Sequence, residues 1–247
     1  MSGHSKWNNI KHRKAKGDAV RGKIFTKIGR EIAVAVKSGG SDPASNSRLW
    51  DIIAKARANN MPNDNITRSI KKAAGELGNI NYEEVVYEGY GVGGVAVIVE
   101  CLTDNKNRTA GDIRHLFDKS GGAMGTAGCV SFMFDLKGIV AVNKKDGLDD
   151  DEMMMAALDL GADDFNSSDG QYEILCPPAA VSAVRKGFEN LGMIVESAET
   201  QRVPQNTVSL DAETAEKIQK MIERFDDNDD VQEVYHNAEL PEDENDE

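Results

Sequence analysis

The chain has 247 residues, of which 29 are Lys or Arg and 42 are Asp or Glu, so its formal net charge is −13. This length suffices for two or three domains, and no stretch approaches the roughly 20 apolar residues of a membrane span. An acidic chain of this kind argues against a nucleic-acid partner only if its charge is evenly spread.

The charge is divided sharply along the chain. Residues 1–80 hold 16 basic and 6 acidic residues, a balance of +10, whereas residues 81–247 hold the other 13 basic and 36 acidic residues, a balance of −23. Residues 1–30 contain nine basic residues and a single acid, Asp18. This asymmetry predicts a basic polyanion-binding module joined to an acidic body.

Three cysteines, Cys101, Cys129 and Cys176, are too far apart in the sequence for a CxxC ligand pair. Their odd number indicates buried thiols in a reducing compartment. Residues 1–20 lack the apolar run of a signal peptide, so we expect a cytoplasmic protein.

The first predicted elements are an arm and three helices. Residues 1–16 are too polar to pack, and a helix with Asp18 as a possible N-cap follows up to Gly39-Gly40. Asp42-Pro43 predicts the cap and first position of a second helix, which stops before Pro62. A third helix is predicted from Asn63 to Ala74. Short amphipathic helices with tight connections favour a small bundle.

The hydrophobic pattern then changes to the period of strands. Strands are predicted at Glu84–Tyr87, Val95–Leu102 and Val130–Phe134, with a glycine-rich hairpin turn at Gly89–Gly94 and a helix from about Thr109 to Ser120.

A second α/β pattern of order β-α-β-β-α-β follows between Gly138 and Val203, and this order is typical of a ferredoxin-like unit. Its predicted strands and helices are Ile139–Val142, Asp151–Leu160, Ala162–Phe165, Tyr172–Cys176, Ala179–Leu191 and Ile194–Ser197.

The last helix, Ala212–Phe225, and the last strand, Val231–His236, cannot form a domain alone. We therefore predict an α+β protein of three domains, in which an N-terminal three-helix bundle precedes two α/β domains. The predicted limits are 1–80 for arm and bundle, 82–135 with 205–240 for a discontinuous domain, 136–204 for an inserted ferredoxin-like domain, and 241–247 for an acidic tail.

Several motifs resemble small-molecule or metal sites but lack residues that such sites require. Gly17–Lys23 nearly matches a phosphate-binding loop, but Ile24 stands where a hydroxyl is needed and no strand precedes it. Asp226–Asp230 resembles the start of a calcium loop without its glycine and closing Glu. Met153–Met155 lies on a predicted helix where at least one of the three must face out, and Met in such a position is ordinarily core filler. We predict no catalytic residues, metal or cofactor, and no small-molecule substrate.

Candidate nucleic-acid contacts lie in the arm and on the first and third helices, where cations can reach phosphates. Trp7 either stacks on an unpaired base or folds back against the bundle. The candidate residues are Lys6, Trp7, Lys11, His12, Arg13, Lys14, Lys16, Arg21, Lys23, Lys27, Arg30, Arg68, Lys71 and Lys72.

Several motifs resemble those of the YebC family, whose relatives include a mitochondrial translational activator of cytochrome oxidase subunit I. They are Ser2-Gly-His-Ser-Lys-Trp7, Ile10-Lys-His-Arg-Lys14, Arg21-Gly-Lys-Ile-Phe-Thr-Lys27, Asn60-Met-Pro62, Tyr87-Glu-Gly-Tyr-Gly91, Gly94–Asp104 and Asn107-Arg-Thr109. The resemblance covers most of the chain. It implies three domains, a helical first domain and no cofactor.

The resemblance leaves two functions open. Members are commonly described as DNA-binding transcriptional regulators, whereas other members are implied to relieve stalled synthesis on the ribosome. A basic arm with one Trp suits structured RNA better, because paired bases hide their faces. We expect a non-enzymatic regulator that binds ribosomal RNA or the ribosome, with DNA as the alternative, no membrane partner, and an oligomeric state left open.

Overall fold

The computed structural model describes residues 18–75, 81–145, 147–168 and 170–240. Within these ranges the chain is a mixed α and β protein with seven α-helices and two four-stranded antiparallel sheets. The described residues fall into two compact units, residues 134–205 and the remainder.

Three helices precede the first sheet: α1 (Asp18–Gly39), α2 (Ser47–Ala58) and α3 (Asn63–Gly75). Their inward positions recur every three or four residues and form one core. Its buried members are Ile28, Ile32, Ala35, Val36, Leu49, Ile52, Ile53, Ala56, Met61 and Ile66. Each Ile or Leu contributes about 1.5–3 kcal/mol by leaving water, so the apolar stripe specifies the bundle.

The start of α2 differs from the prediction. Asp42 does not cap the helix: its side chain accepts from the Ala44 N–H at 3.0 Å within a separate turn. The cap is Asn46, whose side-chain oxygen accepts from the Leu49 N–H and whose amide donates to the carbonyls of Ala35 and Gly40. The buried side-chain amide of Asn46 thus joins the end of α1 to the start of α2. The Asp42-Pro43 pair, from which the helix start was predicted, gives no sign of this contact.

The sheet of the larger unit contains β1 (Glu83–Tyr90), β2 (Ala96–Thr103), β3 (Ala123–Met124) and β9 (Val231–His236) in the order β3-β1-β2-β9. The predicted hairpin is confirmed, since Tyr90 pairs with Ala96 across the glycine turn. Gly93 and Gly94 have φ of 71° and 75°, which only glycine adopts without strain.

Two helices, α4 (Lys106–Lys119) and α7 (Ala212–Asp226), cover one face of this sheet. The core between them contains Val97, Val99, Cys101, Ile113, Phe117, Ile218, Met221, Phe225, Val231 and Val234. Phe117 and Phe225 meet edge to face with ring centroids 4.9 Å apart. A short parallel pair, β8 (Val208–Ser209) with β10 (Ala238–Glu239), completes this unit.

The predicted strand Val130–Phe134 is wrong. Ser131–Met133 is a 3-10 turn, and Phe134 opens a different strand. The reason is Glu88, a buried side chain whose carboxylate accepts from the N–H groups of Gly128, Val130 and Ser131 at 2.9 Å. Backbone donors bound in this way are not available to a neighbouring strand.

The smaller unit contains β4 (Phe134–Asn143), α5 (Asp150–Asp159), β5 (Asp164–Ser168), β6 (Gln171–Cys176), α6 (Val181–Asn190) and β7 (Val195–Pro204). Its sheet order is β5-β6-β4-β7, and every neighbouring pair is antiparallel. The six predicted elements occur in the predicted order. However, β7 continues to Pro204, because it pairs with β4 along the whole length of that strand.

Candidate nucleic-acid interface

The arm residues proposed as contacts lie outside the described residues. They are Lys6, Trp7, Lys11, His12, Arg13, Lys14 and Lys16. Their roles therefore stay predictions from the sequence.

The cations on α3 form an exposed group. Arg68, Lys71 and Lys72 lie at i, i+3 and i+4 spacing, opposite the buried Ile66, and all three are exposed. Together with Asp64, Thr67 and Gly75 they line one open groove. Among the described residues none of these three cations has a hydrogen bond or ion pair, so their charge faces solvent.

The cations on α1 are differently placed. Lys23 Nζ lies 2.8 Å from Asp227 Oδ1, and Lys27 Nζ lies 3.8 Å from Asp226 Oδ1. Arg21 is exposed at the start of the helix. Residues proposed as phosphate contacts are thus already facing carboxylates of the same chain.

Among these α1 cations, Arg30 makes three hydrogen bonds to other parts of the chain. Its Nη1 donates to Asp230 Oδ1 at 2.6 Å and to the backbone carbonyls of Asp229 at 2.7 Å and Leu102 at 3.2 Å. The guanidinium also lies 5.6 Å from the ring centroid of Tyr82, within cation–π range. We therefore interpret Arg30 as a structural residue that holds α1 to the first sheet.

Asp230 is the centre of this network, and the sequence analysis missed it. Its Oδ2 accepts from Thr109 at 2.7 Å, from Arg108 at 2.8 Å and from Thr103 at 3.2 Å. Burial opposes its ionisation, but the hydrogen bonds from Arg108, Thr109 and Arg30 outweigh this and lower the pKa of Asp230 to about 2. The Asn107-Arg-Thr109 motif was the available signal, since two of its residues bind this carboxylate.

Further charged pairs join the bundle to the first sheet. Lys55 Nζ on α2 lies 3.4 Å from Glu233 Oε1 on β9, and 2.9 Å from Glu31 Oε1 on α1. Arg48 pairs with Glu84 at the start of β1. Pairs of opposite charge therefore join the bundle to the first sheet at several points, and salt weakens those that are exposed.

Three further runs noted in the sequence lie at least partly within the described residues. Residues 18–23, which belong to the near-match to a phosphate-binding loop, lie inside α1. Met153 is buried, whereas Met154 and Met155 are exposed. Three acids of the run Asp226–Asp230 form ion pairs with cations of α1 and α4.

The three cysteines lie in surroundings that disfavour the ionised thiol. Burial raises the pKa of the Cys101 thiol to about 12, and it also raises the pKa of Cys129 and Cys176. All three thiols are free, and each is disfavoured as a thiolate. The same residues contain no group of three or more His, Cys, Asp or Glu side chains placed to hold a metal. None of the described helices combines the length and apolarity needed to cross a membrane.

Comparison with known proteins adds independent information. Residues 5–76 match the model of the TACO1/YebC protein N-terminal domain, and residues 82–238 match the model of the TACO1/YebC second and third domain. A probable transcriptional regulatory protein of Acetivibrio thermocellus is 61% identical over 238 residues, which cover 96% of this chain and 98% of that protein. A similarly named protein of Thermoanaerobacter pseudethanolicus is 55% identical over the full length of both chains.

Among solved structures, the crystal structure of a conserved hypothetical protein, Aq1575 from Aquifex aeolicus, is similar to this one. The TM-score is 0.84 at 44% sequence identity, and the match covers 98% of this chain and all of the other.

Proposed function

This chain belongs to the TACO1/YebC family, and we propose that it is a non-enzymatic regulator of gene expression that binds nucleic acid through residues 1–80. The proposed target is structured RNA of the ribosome, where the protein relieves stalled synthesis. The observation that carries the proposal is the open groove of α3, where Arg68, Lys71 and Lys72 present three cations to solvent. Solvent-facing cations on one helix face are suited to neutralising consecutive phosphates.

The side chains of α3 also support a nucleic-acid target that is recognised through its sugar-phosphate backbone. Its exposed groups nearest the groove are two lysines, one arginine, Thr67 and Asp64. Lysines act as point charges toward phosphate and carry little information about base identity. RNA recognition by shape and phosphate position requires no more than this.

A DNA-binding transcriptional regulator is the second candidate function. It is favoured by the names of the relatives from Acetivibrio thermocellus and Thermoanaerobacter pseudethanolicus, both called probable transcriptional regulatory proteins. Such a function would use α3 in the major groove, where Arg68 is the side chain suited to a guanine edge. Preference for one duplex sequence would then be expected.

We also propose the three-domain organisation inferred from the sequence, with residues 136–204 as an inserted ferredoxin-like domain. The strand order β5-β6-β4-β7 supports it, as does the pairing of β9 with β2 in the sheet that begins at Glu83. In this organisation the acidic residues 81–247 repel a polyanion, so residues 1–80 make the nucleic-acid contact.

The test combines sedimentation and direct binding. The unmodified protein should sediment with ribosomes from cell lysate and be released by nuclease, and it should bind an RNA hairpin more tightly than duplex DNA. The variant Arg68→Ala/Lys71→Ala/Lys72→Ala should weaken RNA binding and reduce the slope of log affinity against log salt by about two to three phosphate units.

A matched control removes three exposed cations elsewhere, Arg114, Lys119 and Lys186, by substitution with Ala. Equal weakening by the two triple variants would contradict a localised site on α3. Binding to duplex DNA alone, with no sedimentation with ribosomes, would favour the transcriptional regulator instead.

A further inference from the structure

Three acidic residues between the end of α7 and the start of β9 contact three cations on one face of α1. Lys23, Lys27 and Arg30 follow each other at i, i+4 and i+7 along α1, so their side chains share a face. Their partners are Asp227 at 2.8 Å, Asp226 at 3.8 Å and Asp230 at 2.6 Å. We call this set of three ion pairs the α1–α7 latch.

The acidic side chains of the latch are graded from solvent to interior, with Asp227 the most exposed, Asp226 intermediate and Asp230 buried. At its outer end the side chains of Lys23 and Asp227 are 41% and 73% exposed, whereas at its inner end those of Arg30 and Asp230 are 17% and 6% exposed. An exposed ion pair is weak because water and salt compete for both partners, whereas a buried and fully hydrogen-bonded pair is costly to break. The Lys23–Asp227 pair therefore exchanges readily. The Lys27–Asp226 pair, whose side chains are 15% and 29% exposed, exchanges less readily, and the buried Arg30–Asp230 pair anchors α1 to the segment that follows α7.

The positions of Asp226 and Asp227 give a second reason to assign them a role toward α1. Asp226 is the last residue of α7 and Asp227 is its C-cap, where the helix dipole disfavours a negative charge. Their placement is unfavourable for α7 itself, and the cations of α1 offset it. Removal of these two charges is accordingly not expected to destabilise α7.

We propose that Asp226 and Asp227 are an internal competitor for the phosphates of a nucleic acid, holding Lys23 and Lys27 until a polyanion displaces them. The proposal rests on the nucleic-acid function proposed above and concerns regulation of its α1 contacts. Arg30 stays paired with Asp230 throughout, so the exchange is local and α1 remains docked. The competition lowers the affinity of the protein for polyanions that contact α1 alone, and it favours nucleic acids that also bind in the α3 groove.

The experiment uses the full chain and a fluorescently labelled RNA hairpin. Asp226→Asn/Asp227→Asn should bind the hairpin about 2- to 30-fold more tightly than the unmodified protein, since neither the exposed Asp227 nor the partly buried Asp226 still competes for the lysines. The control Asp112→Asn/Asp118→Asn makes the same change in net charge on exposed positions of α4 and should give a much smaller effect. The melting temperature should move by no more than about 2–4 °C in either variant.

A double-mutant cycle separates competition from general charge. In a Lys23→Ala/Lys27→Ala background, the Asp226→Asn/Asp227→Asn substitutions should leave affinity unchanged, because the disputed cations are gone. Tightening that persists in this background, or that the α4 control reproduces, would overturn the competition.

The two proposals fail in different ways. If Lys23→Ala/Lys27→Ala weakens binding while Asp226→Asn/Asp227→Asn has no effect, the competition is wrong and the binding function stands. If neither the unmodified protein nor any variant binds the hairpin, duplex DNA or ribosomes, both proposals are wrong. The single variant Asp227→Asn, which changes the most exposed residue of the latch, guards against a folding defect in the double variant.

Discussion

Arg30 and Asp230 are 200 positions apart in the sequence, yet Arg30 Nη1 lies 2.6 Å from Asp230 Oδ1. The carboxylate also receives Arg108, Thr109 and Thr103 on its other oxygen, so its acceptor sites face donors from α1, α4 and the end of β2. One buried acid thus connects the helical bundle, the first sheet and the covering helix α4.

Loss of this carboxylate should be among the most destabilising single changes in the chain. Asp230→Ala leaves Arg30 and Arg108 without their shared partner, and removal of one member of a buried pair costs about 3–5 kcal/mol. Urea unfolding followed by circular dichroism measures the free energy of unfolding. Asp229→Asn is the control, because the Asp229 side chain is exposed and only its carbonyl meets Arg30. A cost below about 1 kcal/mol for Asp230→Ala would contradict the role given to this residue.

The same carboxylate should make stability depend on pH in the acid range. Its pKa is lowered from 3.8 to about 2 in the folded protein, so the unfolded chain binds the proton first. Its stabilising contribution is therefore present above pH ~4 and is lost as the pH falls toward ~2, by about 2 kcal/mol. Comparing the unmodified protein with Asp230→Asn isolates this contribution, because the variant keeps all other carboxyls. Parallel stability curves for the two proteins between these pH values would contradict it.

Two glycines of the larger unit should respond oppositely to Ala. A Cβ on Gly89 in β1 would lie 2.4 Å from the Ala123 carbonyl oxygen and 2.8 Å from the Phe117 ring, whereas a Cβ on Gly111 in α4 meets nothing within 4 Å. Gly89→Ala should cost about 1–3 kcal/mol through overpacking. Gly111→Ala should stabilise by about 0.4–1 kcal/mol, because Ala favours the helix. Thermal melts of both variants test the pair, and similar shifts in the same direction would refute the packing around Gly89.

Deletion of residues 206–247 should unfold the domain that begins near Tyr82. The truncation removes β9 from its place beside β2, and it removes Ile218, Met221 and Phe225 from the core. Limited proteolysis of the full chain should cut first near Gly75–Asn81, where the sequence offers no apolar stripe. If the truncated protein kept cooperative unfolding and its strand content, the discontinuous domain would be wrong.

Trp7 should contribute to binding without contributing charge. If it stacks on an unpaired base, Trp7→Ala should weaken binding to an RNA hairpin by about 1–3 kcal/mol and leave the salt slope unchanged. Arg13→Ala/Lys14→Ala should instead reduce the slope by about two phosphate units. Affinity measured at several salt concentrations on RNA and on duplex DNA distinguishes them. A lowered melting temperature with little change in affinity would indicate that Trp7 packs on the bundle instead.

The sequence by itself predicted the elements whose signals are local. The four-residue spacing of Ile24, Ile28, Ile32 and Val36 determined a helix, because one helix face must leave water. The strand Val231–His236 was predicted at its observed bounds. Family membership was also accessible, since the motifs of the arm and of the glycine turn occur together in one chain.

Only the tertiary structure decided which charged side chains form ion pairs and which face solvent. From the sequence, Lys23, Lys27 and Arg30 were equivalent to Arg68, Lys71 and Lys72, since each trio shares a helix face. The fold brings residues 226–230 against the first trio and leaves the second open to solvent, and nothing in a helical period specifies which distant carboxylate arrives. The same holds for Glu88 and Asn46. Glu88 accepts from the Val130 N–H in a segment that the local pattern predicted as a strand, and Asn46 accepts from the Leu49 N–H at a helix start for which the local pattern predicted Asp42 as the cap. Secondary structure follows from neighbours in the chain, whereas electrostatic partners follow from which surfaces the folded core brings together.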